Sequence, residues 1–227
     1  MPQARIPARG FGGDMDQLQQ MALAAGLSWA SGIRLYATVF IIGMLGRFGY
    51  VHLPADLALI EHDWVLAASG IMLVVEFLAD KVPGFDSLWD SIHTFIRIPI
   101  GAMLAWGAMG DSTPAIQLAA GLLGGAITTG AHLAKTGTRA AINTSPEPFS
   151  NWTASFGEDG MLLGGLWLVF HHPAVFLVLL IVFLALTIWL LPKIFRFLAR
   201  LWRRFTGGAG EPPPSTVSTT PSISPRA

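Results

Sequence analysis

Asp86, Asp90, His93 and Arg97 stand at i, i+4, i+7 and i+11, a spacing that puts all four on one face of a helix over about residues 86–96. Together with Asp80, the aspartates read D-x5-D-x3-D. Carboxylates in that density suit a divalent cation, because Mg²⁺ is held by carboxylates and water. Asp80, Asp86, Asp90 and His93 are therefore the candidate metal ligands, with Mg²⁺ the candidate cofactor. Further along, Lys135, Thr136, Thr138 and Arg139 combine positive charge with hydroxyl donors, which suits an anionic group. The two sets together describe a metal-dependent, membrane-embedded lipid-phosphate transferase, with Lys135 and Arg139 on the phosphate. A second aspartate motif and a D-G-x-x-A-R signature are both missing from the sequence. The same helix also reads as an amphipathic element at the membrane interface, with Leu88, Trp89, Ile92 and Phe95 on its apolar face.

The elements that would position these residues are membrane helices. Of 227 residues, 52% are hydrophobic and 12% charged, against about 25% charged in an ordinary soluble domain. The mean hydropathy is +0.55. This supply of polar side chains cannot clothe a soluble enzyme. Fourteen Lys and Arg balance fourteen Asp and Glu, so no nucleic-acid partner is expected. The chain has no cysteine, which excludes disulfides and thiolate chemistry.

Apolar runs at 23–44, 65–79, 98–109, 115–133, 161–170 and 174–191 predict an all-α integral membrane protein of about six transmembrane helices. The runs at 98–109 and 161–170 are short and need extension by neighbouring polar turns. Six spans place Arg5, Arg9, Lys81, Arg97, Lys135, Arg139 and the C-terminal cluster Lys193, Arg196, Arg200, Arg203 and Arg204 on one side. By the positive-inside rule that side is the cytoplasm, with both termini there, in the inner (plasma) membrane. Residues 1–16 read as a flexible extension, 17–192 as the transmembrane domain, 193–206 as a basic amphipathic helix and 207–227 as a disordered tail. The lipid bilayer is the partner throughout, and the basic helix is expected to meet anionic headgroups. Gly121-x-x-x-Gly125 and Gly160-x-x-x-Gly164 permit close helix packing, within one subunit or between copies of a homo-oligomer.

Arg34 and Glu76 stand inside apolar runs, where an uncompensated charge costs about 2.5–3.5 kcal/mol on insertion scales. They form either a buried structural pair or a substrate or proton-coupling site. Ala24-Ala25-Gly26-Leu27 recurs as Ala119-Ala120-Gly121-Leu122, three spans later, so two inverted three-helix repeats are one arrangement of the chain, with short cytoplasmic re-entrant or interfacial helices. In that arrangement Arg34 and His132 face the midplane. Arg34, Glu76, His132, Lys135 and Arg139 then form the binding set of a transporter or channel for a small ion or anionic solute. Transport is favoured over the enzyme, and a non-catalytic membrane scaffold is the third reading.

The stretch VEFLADKVPGFDSLWDSIHTFIRIPIGA, with SGIRLY before it and NTSPEP and SFGEDG after it, resembles the domain of unknown function 4126 family of bacterial and plant membrane proteins. The resemblance covers about residues 15–191. It implies a small polytopic membrane protein and carries no catalytic or binding role to any residue.

Overall fold

The computed structural model describes residues 17–82, 85–110, 112–144 and 148–206. The expected N-terminal extension and C-terminal tail lie outside the described residues. Among the described residues every regular element is helical: α1 (Gln17–Ile33), α2 (Leu35–Arg47), a 3-10 helix (Ala55–Glu61), α3 (Asp63–Ala79), α4 (Phe85–Ala108), α5 (Pro114–Ile142), α6 (Pro148–His171) and α7 (Pro173–Thr206). Two are long and apolar enough to cross a membrane, α5 and α7 over Pro173–Arg200, and a third crossing arises if the 3-10 helix and α3, bent by 61°, count as one.

The first apolar run is not one continuous helix. Arg34 adopts an extended conformation (φ −142°, ψ 93°) between α1 and α2. The serines before it already divert backbone bonding. Ser28 Oγ donates to Ala24 O (2.8 Å) and Ser31 Oγ to Ser28 O (2.9 Å), the local competition that weakens helices at such residues. The direction then reverses. Going down α1, Gly26 meets Val169, Trp29 meets Gly165 and Arg34 meets Ser155, so α1 runs antiparallel to α6. Going along α2, Phe40 meets Gly70, Gly43 meets Leu66 and Gly46 meets Glu61, so α2 runs antiparallel to α3. Asp80, at the end of α3, and Ser155, in the first half of α6, both meet Arg34. α1 therefore descends to Arg34 and α2 climbs back: the pair is a re-entrant hairpin with Arg34 at its tip.

Three expectations are corrected by this. The run at 23–44 does not cross the bundle, because its two ends emerge on the same side. α1 and α5 run parallel, with Gly32 against Thr128 and His132, so the matched segments are not related by inversion. Residue 17 and the far end of α7 lie at opposite ends of the bundle, not on one face. The re-entrant element is thus α1–α2, whereas residues 86–96 are simply the first half of α4.

α4 and α6 explain the two short runs. Each has 24 residues, about 36 Å at 1.5 Å per residue, enough to cross a 30 Å hydrocarbon core. Their first halves are patterned inside out. In α4, Asp86, Asp90, His93 and Arg97 are buried while Leu88, Ile92, Phe95 and Ile96 are exposed. In α6, Asn151, Ser155 and Glu158 are buried while Phe149, Trp152 and Phe156 are exposed. Such a surface suits lipid, not water. The basic stretch at 193–206 is an extension of α7, which passes through Pro192, and Lys193 Nζ lies 2.9 Å from the centre of the Trp189 ring.

Small residues let the hairpin reach the bundle centre. Ser28 Oγ also donates to Gly101 O (3.2 Å), and Thr128 Oγ1 donates to Ser28 O (2.9 Å). A Cβ on Gly32 would lie 2.5 Å from Thr128 O. Gly32→Val is expected to cost about 1–3 kcal/mol by overpacking, read as a lower unfolding temperature in detergent. The hairpin itself is tested with single cysteines, since the chain has none. Cysteines at Leu18 and His52 are expected to react with an impermeant maleimide from one side of sealed vesicles, and cysteines at Val82 and Thr144 from the other. Labelling of 18 and 52 from opposite sides would restore a through-going first helix.

Candidate functional site

The α1–α2 junction, α3, α4, α5 and α6 each bring a group to one buried ionic network. Extended backbone at Arg34 points its guanidinium away from the hairpin axis, toward α3 and α6. Its Nη1 lies 2.9 Å from Asp80 Oδ2 and its Nε 2.7 Å from Asp159 Oδ1. Nη2 donates to Ser155 Oγ at 2.8 Å and lies 3.8 Å from Glu158 Oε2. Arg97 of α4 takes the other side of the tip. Its Nη1 donates to Ile33 O (2.9 Å) and Gly32 O (3.4 Å), the carbonyl end of α1, where a cation also meets the negative pole of the helix dipole. Its Nη2 lies 2.7 Å from Glu76 Oε1 and 3.0 Å from Asp90 Oδ1.

α5 supplies two more cations from one stripe. Lys135 Nζ donates to both Asp80 carboxylate oxygens at 3.2 Å, and lies 3.3 Å from Asp90 and 3.7 Å from Glu158. Arg139 forks onto Glu158, with Nε to Oε1 at 2.9 Å and Nη2 to Oε2 at 3.0 Å. That bidentate geometry is the strong form of the pair. Its Nη1 donates to Asp80 O and Asn151 O, both at 3.1 Å. Arg34, Glu76, Asp80, Asp90, Arg97 and Arg139 have no exposed surface.

The structure thus gathers the expected binding set. Arg34, Glu76, Lys135 and Arg139 are members of the network. His132 is buried beside it but meets a hydroxyl rather than a charge: its Nε2 lies 2.6 Å from Thr94 Oγ1. Thr94 donates its one proton to Asp90 O (2.9 Å), which makes His132 Nε2 the donor.

The residues expected to hold metal go separate ways. Asp80 answers Arg34 and Lys135. Asp90 answers Arg97 and Lys135. Asp86 accepts from Asn143 Nδ2 at 3.0 Å and from the Ser87 amide at 2.7 Å. His93 stacks on Trp89 at 4.0 Å and meets Trp89 O through Nδ1 at 2.9 Å. Among the described residues no three His, Asp or Glu side chains gather as a metal site.

Arg97, Glu158, Asp159, Ser155 and Asn151 belong to the network and were not expected in it. Arg97 shares a helix face with Asp86, Asp90 and His93 by its spacing, but that face reads as lying at the membrane interface when only the run after it is taken as membrane-spanning. Glu158 and Asp159 look like acids at a helix start, yet α6 begins ten residues earlier at Pro148. The signal available was periodicity: 151, 155, 158, 162, 166 and 169 form one buried stripe.

A family model described as Domain of unknown function (DUF4126) matches residues 21–193. The chain belongs to that family. No curated protein and no solved structure matches. The DUF4126 match begins in α1 and ends just past Pro192 in α7, so it contains the whole network.

Removing one partner of a buried pair strands the other. Asp80→Asn is expected to destabilise this DUF4126 protein by about 3–5 kcal/mol in detergent unfolding. The Arg47–Asp63 pair is 45% and 75% exposed, so Asp63→Asn is expected to cost under about 1 kcal/mol. Equal effects would deny the network its role in stability.

Proposed function

We propose that the protein is a small multi-pass transport protein of the plasma membrane that moves a small ion. The observation that carries this reading is the discontinuous helix at Arg34, whose tip meets charged groups of α3 and α6 inside the bundle. Broken helices with half-helix ends at charged groups near mid-membrane are the usual construction of transporter binding sites. In this reading α3 to α7 cross the bilayer and α1–α2 dips in from one side. The opposite end, bearing Lys193, Arg196, Arg200 and Arg203, faces the cytoplasm, and these exposed bases meet anionic headgroups.

The charge balance bears on the solute. Arg34, Lys135 and Arg139 are each answered by carboxylates, and the network as a whole holds more acids than bases, which favours a cation over an anionic solute. The α1–α2 tip is held by charge, through Arg34 and through Arg97 at the α1 carbonyls, and by the close approach of Gly32 to Thr128, so a change of charge in the network acts directly on the hairpin.

Mutual pairing of the charges also supports a second reading, a membrane scaffold without turnover. Flux separates the two. Protein reconstituted in proteoliposomes is expected to pass one member of a panel of small cations and protons, detected by current or by entrapped dye. Arg34→Ala, checked by size-exclusion profile for a folded state, is expected to abolish that flux. Absence of any flux across the panel would leave the scaffold.

A further inference from the structure

Four cations, Arg34, Arg97, Lys135 and Arg139, face five carboxylates, Glu76, Asp80, Asp90, Glu158 and Asp159, in one connected set of ion pairs. Adding the two charged neighbours, Lys81 in the turn after α3 and Asp86 at the start of α4, leaves the same excess of one negative charge. Such an excess is not stable in a site shielded from water, and the group usually neutralises instead.

The excess has a location. Asp80 touches Arg34 and Lys135, and Arg139 lies at 3.9 Å. Glu158 holds the bidentate Arg139. Asp159 is 29% exposed, so water screens it. Asp90 lacks a directed hydrogen bond on its carboxylate oxygens among the described residues, but it has two cations within ion-pair distance, Arg97 and Lys135. Glu76 touches only Arg97, and the same Nη2 of Arg97 also serves Asp90. Glu76 has no exposed surface, and its Oε2 has no hydrogen-bond partner among the described residues.

We propose that Glu76 is a proton-binding site: in the resting state Oε2 carries a proton delivered by hydronium, whose O–H bond breaks to leave water as the Oε2–H bond forms, and Arg97 reads its presence at the hairpin tip. This rests on the transport reading and names its coupling ion. The titratable and charged groups that act on Glu76 are Arg97 of α4, Lys135 of α5, Asp80 one turn along α3, Arg34 at the junction and Tyr36 of α2, with Asp90 sharing its Arg97 contact. A metal cation is the poorer occupant, because these neighbours do not converge as a ligand set.

The device is mechanical as well as chemical. Arg97 bridges Glu76 and Asp90 on one side and the Gly32 and Ile33 carbonyls on the other. With Glu76 neutral, Asp90 is its only full charge partner on α4 and α3, and the guanidinium stays on the α1 carbonyls. Loss of the proton places a second full negative charge at 2.7 Å and draws the guanidinium off the tip.

Infrared difference spectroscopy on the full chain in lipid nanodiscs tests this without flux. Wild-type protein at neutral pH is expected to show the C=O stretch of a buried protonated carboxylic acid, downshifted in D2O and lost on alkaline titration. Glu76→Gln, the neutral isostere, is expected to fold and to lack the band. Asp90→Asn, which frees Arg97 to neutralise an ionised Glu76, is expected to lose it as well, while Asp63→Asn keeps it. No band in the wild type, or a band that survives Glu76→Gln, would overturn the proposal; survival there with loss in Asp90→Asn would place the proton on Asp90 instead. So would a sodium-dependent thermal stabilisation of the wild type that Glu76→Gln removes, since a metal cation would then be the occupant. A band without flux in proteoliposomes removes the transport reading and leaves the proton site; flux without a band does the reverse.

Discussion

Arg34 is fully buried, and its guanidinium meets Asp80 from the end of α3 at 2.9 Å and Asp159 from α6 at 2.7 Å. A guanidinium keeps its charge under all ordinary conditions, so wherever its side chain goes the carboxylates must follow. The α1–α2 hairpin ends where it does because its tip residue is tied to two helices that are remote from it in sequence; Ser155, its α6 neighbour, is 121 residues away. Arg97 and Arg139 repeat the demand from α4 and α5. The bundle is then a solution to one electrostatic problem, and its helices are arranged so that every buried cation has an acid within reach.

That demand reverses the usual sense of amphipathicity. Hydrophobic burial does little to hold helices together where the surroundings are as apolar as the side chains. α4 and α6 accordingly turn Asp90, Arg97, Asn151 and Glu158 inward and Phe95, Trp152 and Phe156 outward. Between the charged half and the apolar half the inward stripe changes to small residues. Gly101, Gly124 and Thr128 let α1, α4 and α5 touch through backbone and hydroxyl. The polar stripe supplies directed contacts, and the small stripe supplies the close approach that makes them reachable.

Much of this was legible in the sequence, and the rest failed for identifiable reasons. α7 reads plainly, because its first eighteen residues carry no charge. Arg34 and Glu76 stand out because each is a lone charge in an apolar run. Asp86, Asp90, His93 and Arg97 fall on one face by their spacing, but hydropathy alone cannot say that the face turns inward. The reversal at Arg34 was invisible, since one extended residue joins α1 to α2 with no polar linker, and a 22-residue apolar run looks the same straight or folded. The Ala-Ala-Gly-Leu match was real as text and misleading as symmetry: both copies are small-residue strips on parallel helices that meet the same centre.

The separation of Arg34 from its acidic partners has a consequence for biogenesis. The chain emerges from the amino end, so the arginine is made long before Asp80 and longer still before Glu158 and Asp159. Until α6 exists, a hairpin seated in the bilayer would carry a guanidinium with an incomplete set of counter-charges. α4 and α6 face the mirror-image difficulty, because their acidic halves are poor insertion substrates alone. Among the described residues the helices apolar enough to enter lipid unaided are α5 and α7, with α3 a third if it counts with the 3-10 helix, so the hairpin needs helices made after it before its guanidinium is fully answered.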